Sequence, residues 1–86
     1  MMHIEATRTF IKLYRKLPGD IKERAKKALE LFISDPEHPS LGHKKMAGQH
    51  DIYELRLSDN YRITYQKIGD IAYLRKIGTH DLLRNP

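Results

Sequence analysis

Histidine and arginine carry most of the chemical potential of this chain. It holds five histidines, sixteen Lys+Arg against eleven Asp+Glu, and no cysteine. An imidazole titrates near neutrality and can move protons at pH 7. A guanidinium stays charged, and its fork matches two oxygens of a phosphate. The lack of cysteine removes disulfides, thiol nucleophiles and thiolate metal sites together. His38 and His43 have His-x₄-His spacing but no clear third ligand, so neither a metal nor a cofactor is expected. His3, His38 and His50 read as surface or turn residues. A formal net charge of +5 and a pI near 9.6 favour a polyanionic partner: nucleic acid, a ribosome surface or an acidic protein segment.

Strand register places the arginines. Ile52–Leu57 and Tyr61–Lys67 alternate in polarity with a period of two. A two-residue loop at Asp59-Asn60 would pair Leu57 with Arg62 and mix polar with apolar residues on each face. A three-residue loop, Ser58-Asp59-Asn60, pairs Leu57 with Tyr61, Leu55 with Ile63 and Tyr53 with Tyr65, all apolar. The same register sets Arg56 against Arg62 and Glu54 against Thr64 on the opposite face. A one-residue slip would destroy both patterns, so the three-residue turn is expected, with Asn60 left-handed. Two opposed arginines repel unless an anion sits over them.

The remaining elements frame that hairpin. Phe10, Leu13, Tyr14 and Leu17 recur at helical spacing after Thr7. Pro18-Gly19 breaks the segment, and Asp20 with Glu23 forms a capping-box pattern for a second helix. Pro18 in the first turn would move its start by two residues. Its buried stripe is Ile21, Ala25, Ala28, Leu29 and Phe32, with Glu23→Lys27 as an i,i+4 pair. Lys22, Arg24, Lys26 and Lys27 read as a solvated face. Asp35-Pro36 ends the helix. His43–Met46 and Ile71–Ile77 complete the strands, and Met2–Ala6 permits an edge strand. The expected fold is α+β, in the order β-α-α-β-β-β: an antiparallel sheet of about four strands, two N-terminal helices packed on one face, the polar face open. The 86 residues read as one domain, 1–86. No apolar run is long enough for a membrane span, and a small domain without disulfides points to an intracellular, cytoplasmic address.

Several segments in order resemble one family. They are Leu17-Pro18, Asp35-Pro36, His38-Pro39-Ser40-Leu41, Lys44-Lys45-Met46-Ala47-Gly48, Asp51-Ile52-Tyr53-Glu54-Leu55-Arg56, Asn60-Tyr61-Arg62-Ile63-Thr64-Tyr65 and Ile77-Gly78-Thr79-His80. Over essentially the whole chain they are similar to the RelE/ParE toxin superfamily. The resemblance implies this fold and a toxin of a type II toxin–antitoxin pair, silenced by its cognate antitoxin. In the RelE-like branch it implies an endonuclease that cuts mRNA on the ribosome and so inhibits translation. The family's catalytic positions fall on Lys45, with Lys44 beside it, on Arg62, and, from a YafQ-type Gly-Thr-His ending, on His80. Arg56 lies one residue off the family's other strand arginine. Lys44, Lys45, His43 and Arg62 would contact RNA. The chain lacks the arginine and tyrosine of the better-known RelE ending. A ParE-like gyrase poison, or a degraded member that only binds its antitoxin, is the alternative.

Metal-free RNA cleavage needs a base for the 2′-OH, cations at phosphorus and an acid for the leaving 5′-oxygen. Arg56, Arg62, Lys45 and His80 supply the cations and one proton carrier. Glu54, Asp81 and His43 are the residues open for the second.

Overall fold

The computed structural model describes residues 2–86. Strand β1, His3–Ala6, leads into helix α1, Arg8–Arg15, and helix α2, Gly19–Ser34. A 3₁₀ turn at Pro39–Leu41 precedes the short β2, Lys44–Lys45. Then come β3, Ile52–Arg56, β4, Tyr61–Ile68, and β5, Ile71–Thr79, with a second 3₁₀ segment at His80–Arg84. The sheet order is β1-β5-β4-β3-β2. The architecture is the expected two helices on one sheet, but with five strands instead of about four. β1 is the fifth, and it pairs with β5 in parallel, so the sheet is mixed.

Thr7 starts α1 by accepting from the Phe10 N–H at 3.2 Å, and its hydroxyl donates to the Leu74 carbonyl at 2.8 Å. One side chain thus caps the helix and ties it to β5. Pro18, not Asp20, stands at the N-cap of α2. Its fixed φ presets the entry, and its carbonyl accepts from Ile21 and Lys22 at 3.1 and 3.0 Å. Asp20 sits in the first turn, where an acid complements the helix dipole. Glu23 and Lys27 form no ion pair. The core packs Phe10, Ala25 and Phe32 of the helices onto Leu55, Ile63, Tyr65, Leu74 and Ile77 of the sheet.

The β3–β4 register is the one expected: Tyr53↔Tyr65, Glu54↔Thr64, Leu55↔Ile63 and Arg56↔Arg62. The turn achieves it without a left-handed Asn60; among the described residues Asp51 alone of the non-glycines has positive φ. Side chains hold the turn instead. Ser58 Oγ accepts from the Asn60 and Tyr61 amides, and the Arg62 guanidinium donates to the carbonyls of Ser58 and Tyr61 at 2.6 and 3.0 Å.

The polar face is not left open. A register shift between Thr64 and Tyr65 inserts one residue into β5, since Thr64 pairs with Lys76 and Tyr65 with Leu74. Core positions in β5 therefore run Ala72, Leu74, Ile77, and the neighbours Arg75 and Lys76 both leave the core. The segment after β5 folds back over this face. The Pro86 carbonyl accepts from the buried Thr64 hydroxyl and from Arg75 Nε, both at 3.1 Å, and the Asn85 carbonyl accepts from Lys76 Nζ at 2.6 Å.

Candidate active site

Successive strands lay two rows of side chains on the face away from the helices. One row runs Lys44, Glu54, Thr64, Lys76. The next holds Arg56 and Arg62, with Gly78 beside Arg62. Gly42 flanks the pair on its other side: a Cβ there would lie 3.0 Å from Arg56 Cβ, and φ +54° already favours glycine. At Gly78 a Cβ would press Leu82 at 3.3 Å, so the missing side chain lets the returning segment lie close. Two arginines thus face each other between two glycines.

Their repulsion is relieved by turning them to different partners. Arg56 Nη2 reaches Asp59 Oδ1 at 2.5 Å, an exposed contact. Arg62, only 14% exposed at its side chain, has its Nη1 spent on turn carbonyls and its Nε 3.9 Å from Glu54 Oε2. Lys44 Nζ stands 3.9 Å from Glu54 Oε1. Glu54 is therefore a buried carboxylate between two cations, and its Oε2 is the one buried side-chain oxygen or nitrogen among the described residues without a hydrogen bond. Such an orphaned atom asks for a ligand or a function.

His80 opens the second 3₁₀ segment, and its N–H donates to the Asn60 carbonyl at 2.8 Å. The backbone of His80 is thereby anchored at the end of the hairpin turn whose carbonyls hold Arg62, and its side chain is exposed. Asp81, also exposed, follows it in the first turn of that segment.

The structure does not gather every residue singled out by sequence. Lys44 shares the face of Glu54, whereas Lys45 stands opposite Tyr53, on the aromatic side, with its own side chain exposed. His43 is turned to the helices as well. It hydrogen-bonds the Tyr65 hydroxyl, meets Phe32 edge-on at 5.7 Å, and lies 5.3 Å from the Tyr53 ring. Its packing is that of an aromatic core residue. Burial pushes the Tyr65 phenol above the ordinary tyrosine range, with Tyr53 and Glu37 adding to the effect. The sequence reading placed Thr64 opposite Glu54 on this face, but Arg75, Lys76 and the returning segment escaped it. Gly78, a glycine inside a strand, is the signal of close approach that could have exposed them.

No protein-family model matches the chain. Toxin RelE3 of Methanocaldococcus jannaschii is 30% identical over 82 residues, covering 88% of each chain. The chain belongs to the RelE toxin family. The structure agrees: the RelB–RelE antitoxin–toxin complex from Methanococcus jannaschii matches it with a TM-score of 0.77 at 27% identity, over 93% of this chain and 94% of that one. YafQ of Escherichia coli superposes with a TM-score of 0.76 over 96% and 98% of the two chains, at 15% identity, a likeness of fold. The gyrase-poison alternative gains no support from these RelE-family relatives. Among the described residues no helix is long and apolar enough to cross a membrane.

Proposed function

We propose that this RelE-family toxin is an endoribonuclease that cuts mRNA on the ribosome in the cytoplasm without a metal, and that a cognate antitoxin silences it. The observation that supports this reading most is the opposed Arg56–Arg62 pair, with His80 anchored through Asn60 to the same turn. Arg62 is held in place before any substrate arrives, which is what stabilisation of charge at phosphorus requires. Arg56 and Lys44 add positive charge beside it. His80 is exposed and free to act as proton carrier.

The 2′-oxygen attacks the adjacent phosphorus as its proton leaves to a base. The P–O5′ bond breaks, and an acid protonates the departing 5′-oxygen, leaving a 2′,3′-cyclic phosphate. Two proton carriers are needed. Of the two carboxylates, Glu54 fits the second role better than Asp81, because its Oε2 lies beside Arg62 without a hydrogen bond. Lys45 and His43 do not stand on this face and are assigned no chemical step.

The antitoxin reading draws on the relative that is seen with RelB. A groove of about 480 Å³ between β1, α1 and α2, lined by Ile4, Phe10, Ile11 and Leu29 together with Arg15, Lys26 and Glu30, suits an amphipathic segment.

Induction in cells lacking the antitoxin, followed by mapping of mRNA 5′ ends, tests the reading. Codon-linked cleavage is expected, and it should vanish in His80→Ala and Arg62→Ala. Intact mRNA with accumulated DNA–gyrase cleavage complexes would overturn it, as would cleavage unchanged in both variants.

A further inference from the structure

Arg56 belongs to a second feature as well. With Arg24 and Lys27 of α2 it lines a cleft of about 350 Å³, together with Ser40 and an apolar floor of Ala28, Leu31, Leu41 and Leu57. The lining residues include three cations and no carboxylate. Arg24 and Lys27 are exposed and lie three residues apart, on one side of the helix. Neither makes a salt bridge, although Glu23 and Glu30 sit on the same helix. The loop from Asp35 to Gly42 brings this part of α2 next to β3, since Gly42 packs on Arg56.

We propose that this cleft binds the phosphodiester backbone of single-stranded RNA, one or two phosphates away from the bond held by Arg62. Arg56 is the bridge. Its cross-strand neighbour is Arg62 on one side, and on the other its side chain borders Arg24 and Lys27. Its present partner, Asp59, is 90% exposed, and an exposed ion pair of this kind is easily exchanged for a phosphate. A strand of RNA laid from Arg62 across Arg56 into the cleft, with Asp59 displaced, meets Arg62, Arg56, Arg24 and Lys27 in turn. An acidic protein segment would meet the same charges, but it has no reason to continue onto Arg62. The inference rests on the nuclease reading for its direction, not for its test.

The probe is a single-stranded 2′-O-methyl RNA dodecamer, which has no 2′-OH and cannot be cut. Its affinity for the full chain is measured over a range of salt concentrations. Each lost phosphate contact lowers the slope of log K against log[salt] by about 0.7, so Arg24→Gln with Lys27→Gln should lower it by about 1.4. The charge-conserving pair Arg24→Lys with Lys27→Arg should keep the slope, and both doubles should melt with the wild type because the side chains are exposed. Antitoxin affinity should not change. An unchanged slope in the glutamine double, or no binding of the probe by wild type at low salt, overturns the proposal. So does a fall in antitoxin affinity with the RNA slope intact, which would assign the cleft to the protein partner. A chain that never cuts mRNA but shows the slope change would sink the nuclease reading and leave the RNA cleft standing.

Discussion

Arg62→Lys keeps a positive charge on β4 and removes the fork, which separates two things the guanidinium does. Its Nη1 donates to the carbonyls of Ser58, Tyr61 and Asp59 at 2.6, 3.0 and 3.3 Å, and its Nε faces Glu54. One nitrogen with two hydrogens serves three acceptors, so about two hydrogen bonds are at stake, each contributing roughly 0.5–1.5 kcal/mol net. The turn lies at the surface, where water replaces part of the loss. The expected cost is about 1–2 kcal/mol. For a domain of this length that lowers Tm by roughly 4–16 °C. Chemistry should suffer more. Losing one preorganised donor at a developing charge costs on the order of 10²–10³ in kcat, and a flexible ammonium cannot restore the fork. The assay is single-turnover cleavage of mRNA in programmed ribosomes, at saturating ribosome and well below the melting transition of the variant. Cleavage at the wild-type rate would refute the assignment. A deficit that vanishes on cooling would reduce Arg62 to a brace for the turn.

Three other outcomes are expected. His80→Ala should lower cleavage roughly 10²–10⁴-fold at an unchanged Tm, because its imidazole is exposed and makes no hydrogen bond; a shifted Tm with normal cleavage would contradict this. Gly42→Ala should destabilise by about 1–3 kcal/mol in urea titrations, since a left-handed backbone and a Cβ 3.0 Å from Arg56 Cβ act together; an unmoved midpoint would show that Arg56 simply yields. The raised Tyr65 phenol predicts a loss at high pH: the unfolded chain ionises near pH 10 while the folded one keeps its proton, so stability falls above that pH by up to about 1.4 kcal/mol per unit. Tyr65→Phe should flatten that limb, and a limb of equal slope in the variant would assign it to other groups.

The hairpin was legible in sequence because one register alone keeps Tyr53, Leu55 and Leu57 opposite Tyr65, Ile63 and Tyr61. A buried face makes register a strong constraint. The stripes of both helices were legible for the same reason. The bulge in β5 was not. Nothing in the sequence of Ile71–Ile77 marks the extra residue, and only the positions of Leu74 and Ile77 in the packed core reveal the shift. β1 was too short to show whether it joined the sheet in parallel. His43 looked like a member of the polar set because imidazole counts as polar in any pattern. In the fold it packs as a ring among Phe32, Tyr53 and Tyr65. Arg24 and Lys27 read as a solvated face, since nothing in a helical period says that the loop to Gly42 will carry Arg56 beside them.

The opposed arginines make better sense once their partners are compared. Arg62 is bound to backbone carbonyls of its own turn, which cannot move away without unfolding the hairpin. Arg56 is bound to one exposed carboxylate, and its own side chain is 53% exposed. A pair of that kind contributes at most about 1 kcal/mol, less than a charge-assisted contact with phosphate returns. The site therefore holds one cation that is fixed in advance and one that can be recruited. Glu54 fits this division, because a carboxylate buried beneath Lys44 and Arg62 offsets their charge while no substrate is bound. On the proposed reading, the residue that offsets the two cations is also the carboxylate that lies beside Arg62, and so the candidate for the second proton carrier.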